Sequence, residues 1–150
     1  MKDIQWLLEA IEEAGKTAVK EDGTCWRASY TKEDKAVVEL LKGYMESMGM
    51  DTFFDAVGNL HGIIHGTENN TVMTGSHRDT VRNGGKYDGI LGVLCGIRAA
   101  GSLYKELGSP HSSLEVVAMV EEESSRFTAS DYIGSCNIAG ILPESAFSQT

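Results

Sequence analysis

Apolar residues at Ile4, Leu7, Leu8 and Ile11 recur at i, i+3, i+4 and i+7. This is the stripe of an amphipathic helix that closes near Gly15 and packs against a sheet. A second stripe, Val37, Leu40, Leu41, Tyr44 and Met48, follows an N-cap signal at Thr31 and ends at Gly49, a residue suited to the left-handed position after a helix. Residues 16–30 have no period and read as a connecting loop in which Cys25 and Trp26 pack rather than react. Two β-type runs follow, residues 52–57 and 60–65, joined at Gly58-Asn59, a two-residue hairpin signal. His61 and His65 share one face of the second run. At ~3.3 Å per residue they stand ~13 Å apart, too far to chelate one ion, and both are expected at the surface or half-buried.

The remainder follows an α/β logic: a strand over residues 71–75, a loop to Asp88, a helix over 89–107 and a strand over 114–120. Two strands separated by a helix predict a parallel pair. The helix carries Leu91, Leu94, Ile97 and Tyr104, with Gly92 and Gly96 placed to let its backbone approach the sheet. Residues 129–141 are expected to start helical and to break at Gly134 or Gly140. No repeat, low-complexity tract or interdomain linker interrupts the chain. The fold class is α/β, a sheet with parallel strands flanked by helices, in one domain over residues 1–150.

Charge narrows the partners. Against 13 Lys and Arg stand 22 Asp and Glu, a formal charge of −9 that repels nucleic acid and anionic membrane surfaces. The three cysteines, Cys25, Cys95 and Cys136, form no C-x-x-C pair and suit a reducing compartment. The first residues lack a cleavable leader pattern, and no run approaches the ~18 apolar residues of a membrane span. A cytoplasmic protein without nucleic-acid or membrane partners is expected.

In open α/β sheets the functional crevice lies beyond the carboxyl ends of the strands, and acids collect at those places here. His77 and Asp79 follow the strand ending at Gly75, Asp88 opens the next helix, and Glu121-Glu122-Glu123 follow the apolar run Val116-Val117-Ala118-Met119-Val120. His77 is a candidate metal ligand, and Asp79 is placed to accept the ring's other N–H and hold its tautomer. Asp88 offers a carboxylate able to bridge two ions, Glu123 would hold the second, and Glu122 would stay free as the general base. Singly, a glutamate triplet makes a solvated face and H-x-D makes a turn. Jointly, three like charges after an apolar strand demand neutralisation by cations or by Arg126. Gly84-Gly85 is a weak phosphate signal without a P-loop lysine.

The motifs Gly75-Ser76-His77-Arg78-Asp79-Thr80-Val81, Gly84-Gly85-Lys86-Tyr87-Asp88-Gly89 and Glu121-Glu122-Glu123-Ser124-Ser125-Arg126-Phe127 resemble the M20 metallopeptidase superfamily. The similarity is closest to its hydantoinase/carbamoylase amidase branch, and it extends to residues 55–60 and to Gly134-Ser135. The resemblance implies a partial M20-type, zinc-peptidase-like catalytic domain with two divalent ions, Zn or Mn. In it His77 binds one ion, Asp88 bridges, Glu123 binds the other, Glu122 is the base and Asp79 supports His77. It also implies a small ureido or amide substrate, such as allantoate or an N-carbamoyl-L-amino acid, and a homodimeric parent. An M20 aminopeptidase or deacylase, and a non-catalytic module, are the rival expectations.

The chain departs from the pattern at Arg78, where an apolar residue is usual and a cation would weaken metal binding unless its side chain points away. It departs again at Ser124, where glycine is common, which matters if that position needs a positive φ. Family members are much longer and supply further metal-binding histidines and a dimerisation domain. The chain is therefore expected to be the amino-terminal portion of a catalytic domain, inactive by itself.

Overall fold

The computed structural model describes residues 2–22, 24–127 and 132–147. Local signals set the second helix. Thr31 has extended backbone and its hydroxyl accepts the Asp34 N–H, starting α2 (Lys32–Ser47), and Gly49 at φ +85° turns the chain away at the other end. The first helix, α1 (Lys2–Lys16), buries Ala10, Ile11 and Ala14 with Trp6 and Leu7 beside them, while Ile4 and Leu8 stay exposed. Its stripe is thus rotated from the expected one. The reason is its partner: α1 packs on helix α3 (Ile90–Leu107) rather than on the sheet, and the small alanines allow that approach.

Four strands, β1 (Asp51–Phe54), β2 (Leu60–Ile64), β3 (Thr71–His77) and β4 (Ser113–Met119), form one sheet in the order β1-β2-β4-β3. β4 is central, parallel to β3 across the α3 crossover and antiparallel to β2. Alternation divides its faces. Leu60 and Ile64 of β2, and Val116 and Ala118 of β4, enter the main core with Val37, Leu41 and Met45 of α2 and Val93, Leu94 and Ile97 of α3. The opposite face near the end of β4 is covered by the short helix α4 (Ile133–Ile138), and a smaller core joins Val57, Val120, Ile133 and Ala146.

The β1–β2 connection is not a two-residue hairpin. Phe54 pairs with Leu60, leaving residues 55–59 as a loop wrapped on one carboxylate. Asp55 Oδ1 accepts the N–H groups of Val57, Gly58 and Asn59 at 3.1, 3.0 and 2.8 Å, and Asn59 Nδ2 donates to Asp55 Oδ2 at 2.7 Å. An aspartate at the head of a loop satisfies these donors better than a tight turn would. His61 is buried rather than half-exposed: its Nδ1 lies 2.6 Å from Glu115 Oε1 of β4, and its ring stacks on Phe53. Of the expected final helix, residues 129–131 lie outside the described residues, and the helix seen begins at Ile133. Among the described residues no helix is long and apolar enough to cross a membrane.

Candidate metal centre

β3 runs two residues beyond its expected end, so His77 is its last residue and pairs in register with Met119, the last of β4. Asp88 arrives from the loop before α3. The next residue, Gly89, has φ +68°, and a Cβ there would sit 2.5 Å from the His77 ring. Only glycine lets the backbone press against the imidazole, and that contact brings Asp88 to it.

The His77 ring has one defined orientation. Its Nδ1 lies 3.0 Å from the main-chain carbonyl of Asp79, which can only accept, so Nδ1 donates there and Nε2 is the ring nitrogen available to a metal ion. The Asp79 carboxylate is farther, with Oδ1 at 3.7 Å. Nε2 faces Glu123 Oε1 at 3.5 Å and Asp88 Oδ1 at 3.8 Å. One ligand atom from each of His77, Asp88 and Glu123 lies within 4.8 Å of the others. Three side chains of metal-ligating type thus offer one ligand atom each to a common point, an arrangement able to hold a divalent cation. An imidazole with two carboxylates also suits zinc or manganese. The His77 side chain is largely enclosed while Asp88 remains solvent-exposed, so the group opens outward on the Asp88 side.

The glutamate triplet is divided among three tasks. Glu121, fully buried at φ +55°, uses its carboxylate to fold the following loop: Oε1 accepts the N–H groups of Arg126 and Phe127 at 2.6 and 2.8 Å, and Oε2 accepts the Ser125 hydroxyl at 2.8 Å. The expected neutralisation by the Arg126 guanidinium is not what occurs. Its main-chain N–H serves Glu121, and its side chain donates to the Tyr30 carbonyl at 3.3 Å. Glu122 turns toward α4, where Ser135 N and Oγ donate to its two carboxylate oxygens, each at 2.7 Å. Glu123 faces His77.

Beneath them the buried Asp79 accepts the N–H of Glu122 on Oδ1 at 3.2 Å and that of Glu123 on Oδ2 at 3.1 Å. Arg78 points away from the centre. Its Nε donates to Asp34 Oδ1 at 2.7 Å, and Nη1 donates to the carbonyls of Gly58 and Ala118 at 3.0 and 2.9 Å. Ser124 has φ +48°, so the position that departs from glycine does take a left-handed backbone.

Several supporting residues were not singled out by sequence. Arg27, buried in the segment read as a plain loop, donates from Nε to the Arg78 carbonyl at 2.5 Å and from Nη1 to the Ala14 carbonyl at 3.2 Å. Burial pulls its guanidinium below the ordinary value, while Asp34 and Asp79 oppose the shift. Ser29 Oγ accepts the Glu121 N–H at 2.9 Å. An arginine set between Trp26 and Ala28 in an aperiodic stretch is the one available signal. The other histidines lie elsewhere, His65 beside Asp51 at 3.2 Å and His111 beside Glu68 at 3.6 Å.

No family model matches the chain. The chain is 41% identical over 140 residues to allantoate amidohydrolase of Bacillus subtilis, covering 92% of this chain and 34% of that protein. To N-carbamoyl-L-amino acid amidohydrolase of Geobacillus stearothermophilus it is 37% identical over 142 residues, with 93% and 34% covered. A crystal structure of a hydantoinase/carbamoylase family amidase from Burkholderia ambifaria superposes with a TM-score of 0.86 at 30% identity, over 94% of this chain and 35% of that one. The chain thus spans about a third of the length of the proteins it matches. Sequence and fold agree in likening this chain to the amidases of the hydantoinase/carbamoylase family, over that third of a member's length.

Proposed function

We propose that the protein carrying this chain is a metal-dependent amidohydrolase that cleaves linear ureido or amide C–N bonds, with allantoate and N-carbamoyl-L-amino acids as its substrate class. The observation that carries this reading is the convergence of His77, Asp88 and Glu123 at the carboxyl ends of β3 and β4. The kinship with allantoate and N-carbamoyl-L-amino acid amidohydrolases supplies the substrate class. The chain is the amino-terminal portion of the catalytic domain, and the whole protein is a cytoplasmic homodimer.

His77, Asp88 and Glu123 would hold two divalent ions, Zn or Mn. When bound, such a pair polarises a carbonyl and acidifies a water. Glu122 is the general base: it takes a proton from the attacking water as the new C–O bond forms, and returns it to the nitrogen that leaves as the C–N bond breaks. Asp79 holds the main chain of Glu122 and Glu123 in place, and through its carbonyl fixes the His77 ring. Arg78 does not oppose cation binding, because its charge is spent on Asp34 away from the ligands.

The test is turnover of allantoate, N-carbamoyl-L-amino acids and dipeptides by the full-length protein with Zn²⁺ or Mn²⁺. Hydrolysis of the ureido acids, abolished by chelation and by Glu122→Gln, is expected. Preference for dipeptides would favour an aminopeptidase, and metal-independent binding without turnover would favour a non-catalytic module.

A further inference from the structure

We propose that Ser135 is the positioning residue for Glu122, and that the Asp55–Asn59 loop sets Ser135 in turn. The proposal rests on the reading of Glu122 as the general base. A glutamate side chain with three rotatable bonds reaches many positions, so a base at the end of a strand needs something to choose one. Ser135 makes that choice with two donors from one residue. Its main-chain N–H meets Glu122 Oε1 and its hydroxyl meets Oε2, each at 2.7 Å, the short range of hydrogen bonds to an ionised acceptor. A carboxylate has about four lone-pair directions, so the two bonds fix its plane and leave the remaining lone pairs for a proton.

Ser135 is itself fixed. It lies in the first turn of α4, a helix of six residues that would not persist by itself. Two contacts reach α4 from the Asp55–Asn59 loop. Asn59, completely buried, donates from Nδ2 to the Gly134 carbonyl at 3.0 Å and accepts the Val120 N–H on Oδ1 at 2.9 Å. Asn137 Nδ2 donates to Asp55 Oδ2 at 2.8 Å. The Gly134 N–H donates to the Val120 carbonyl at 3.0 Å, and a Cβ on Gly134 would lie 2.5 Å from Asn59 Oδ1. The residue before Ser135 is therefore clamped from both sides onto the strand end that leads into Glu122. The chain of contacts runs by hydrogen bonds from Asp55 to Asn137 and from Asn59 to Gly134, by the α4 backbone to Ser135, and by hydrogen bonds from Ser135 to the base.

The test uses the full-length protein with Ser135→Ala, Ser135→Thr, Glu122→Gln and the double variant Ser135→Ala/Glu122→Gln. Ser135→Ala is expected to lower kcat for an N-carbamoyl-L-amino acid or allantoate by roughly 10- to 100-fold, the range for loss of a supporting group. KM and Mn²⁺ affinity by calorimetry should stay near wild type, Ser135→Thr should recover most of kcat, and the double variant should be no worse than Glu122→Gln alone. Independently of turnover, the amide proton of Ser135 in the metal-free protein should resonate downfield and move upfield in Glu122→Gln. An unmoved Ser135 amide, or additive losses in the double variant, would overturn the proposal while leaving the base intact. Full activity of Glu122→Gln would instead overturn the assignment of the base.

Discussion

The carboxylate of Asp79 accepts the main-chain N–H of Glu123 at 3.1 Å, and its other oxygen takes the neighbouring Glu122 N–H at 3.2 Å. A buried acid thus ties the turn after β3 to the turn after β4, across forty-four residues of sequence. Asp79→Ala removes both acceptors and leaves two N–H groups to find others, at a cost of roughly 2–4 kcal/mol. Urea unfolding should show that loss, and the folded fraction should bind Zn²⁺ more weakly because Glu123 is no longer aimed. A variant as stable as wild type with unchanged Zn²⁺ affinity would contradict this role.

Asp34 and Arg78 form a buried ion pair in which the guanidinium's other hydrogens reach main-chain carbonyls. Asp34→Ala leaves that charge unpaired and is expected to destabilise by about 3–5 kcal/mol. Asp34→Leu/Arg78→Met should recover part of the loss, since it leaves no uncompensated charge behind. Neither should change metal affinity in the folded state, because Arg78 points away from His77. A measurable gain in metal affinity on removing the Arg78 charge would show that it does act on the centre.

Ser124 holds a left-handed backbone at φ +48°. Glycine takes that conformation without a Cβ clash, so Ser124→Gly is expected to stabilise the protein by roughly 0.5–1 kcal/mol. The comparison is made by denaturant midpoint at constant m-value. A lower midpoint would mean that the serine side chain contributes more than its backbone costs.

Asp55 is the most buried of the carboxyls held below their ordinary values, and it contributes to the pH dependence. Burial pushes its carboxyl up, but hydrogen bonds from the Asn59 side chain and main chain, from Asn137 and from Val57 outweigh that and hold it below the ordinary 3.8. A depressed folded value means the stability it contributes is complete above the unfolded value and is lost as pH falls through the folded one. Stability should therefore hold near neutrality and decline below about pH 4, with a shallower decline in Asp55→Asn. An identical decline in the variant would assign the acid sensitivity to other groups.

What was legible in the sequence was what local chemistry decides. Thr31 and Gly49 bracket α2 because a cap and a left-handed stop are short-range signals, and the parallel β3–β4 pair follows from a helix lying between two apolar runs. The acids at the strand ends were visible for the same reason. Three features depended on partners distant in sequence. The exposed Ile4 and Leu8 reflect α1 packing on α3, His61 is buried because Glu115 arrives from β4, and Glu122 turns to a serine in a helix too short to show a period. Asp55 falls in the β-type run over residues 52–57, and the apolar Ala56 and Val57 mask a local aspartate turn in which its carboxylate gathers the N–H groups of Val57, Gly58 and Asn59.

The most direct test is calorimetric titration of the metal-free full-length protein with Zn²⁺ or Mn²⁺, comparing wild type with His77→Ala, Asp88→Ala and Glu123→Ala. Each substitution is predicted to weaken binding by at least the roughly 10- to 100-fold that loss of a mere supporting group costs, while Glu122→Gln binds as wild type does. Wild-type affinity in all three ligand variants would contradict the metal centre.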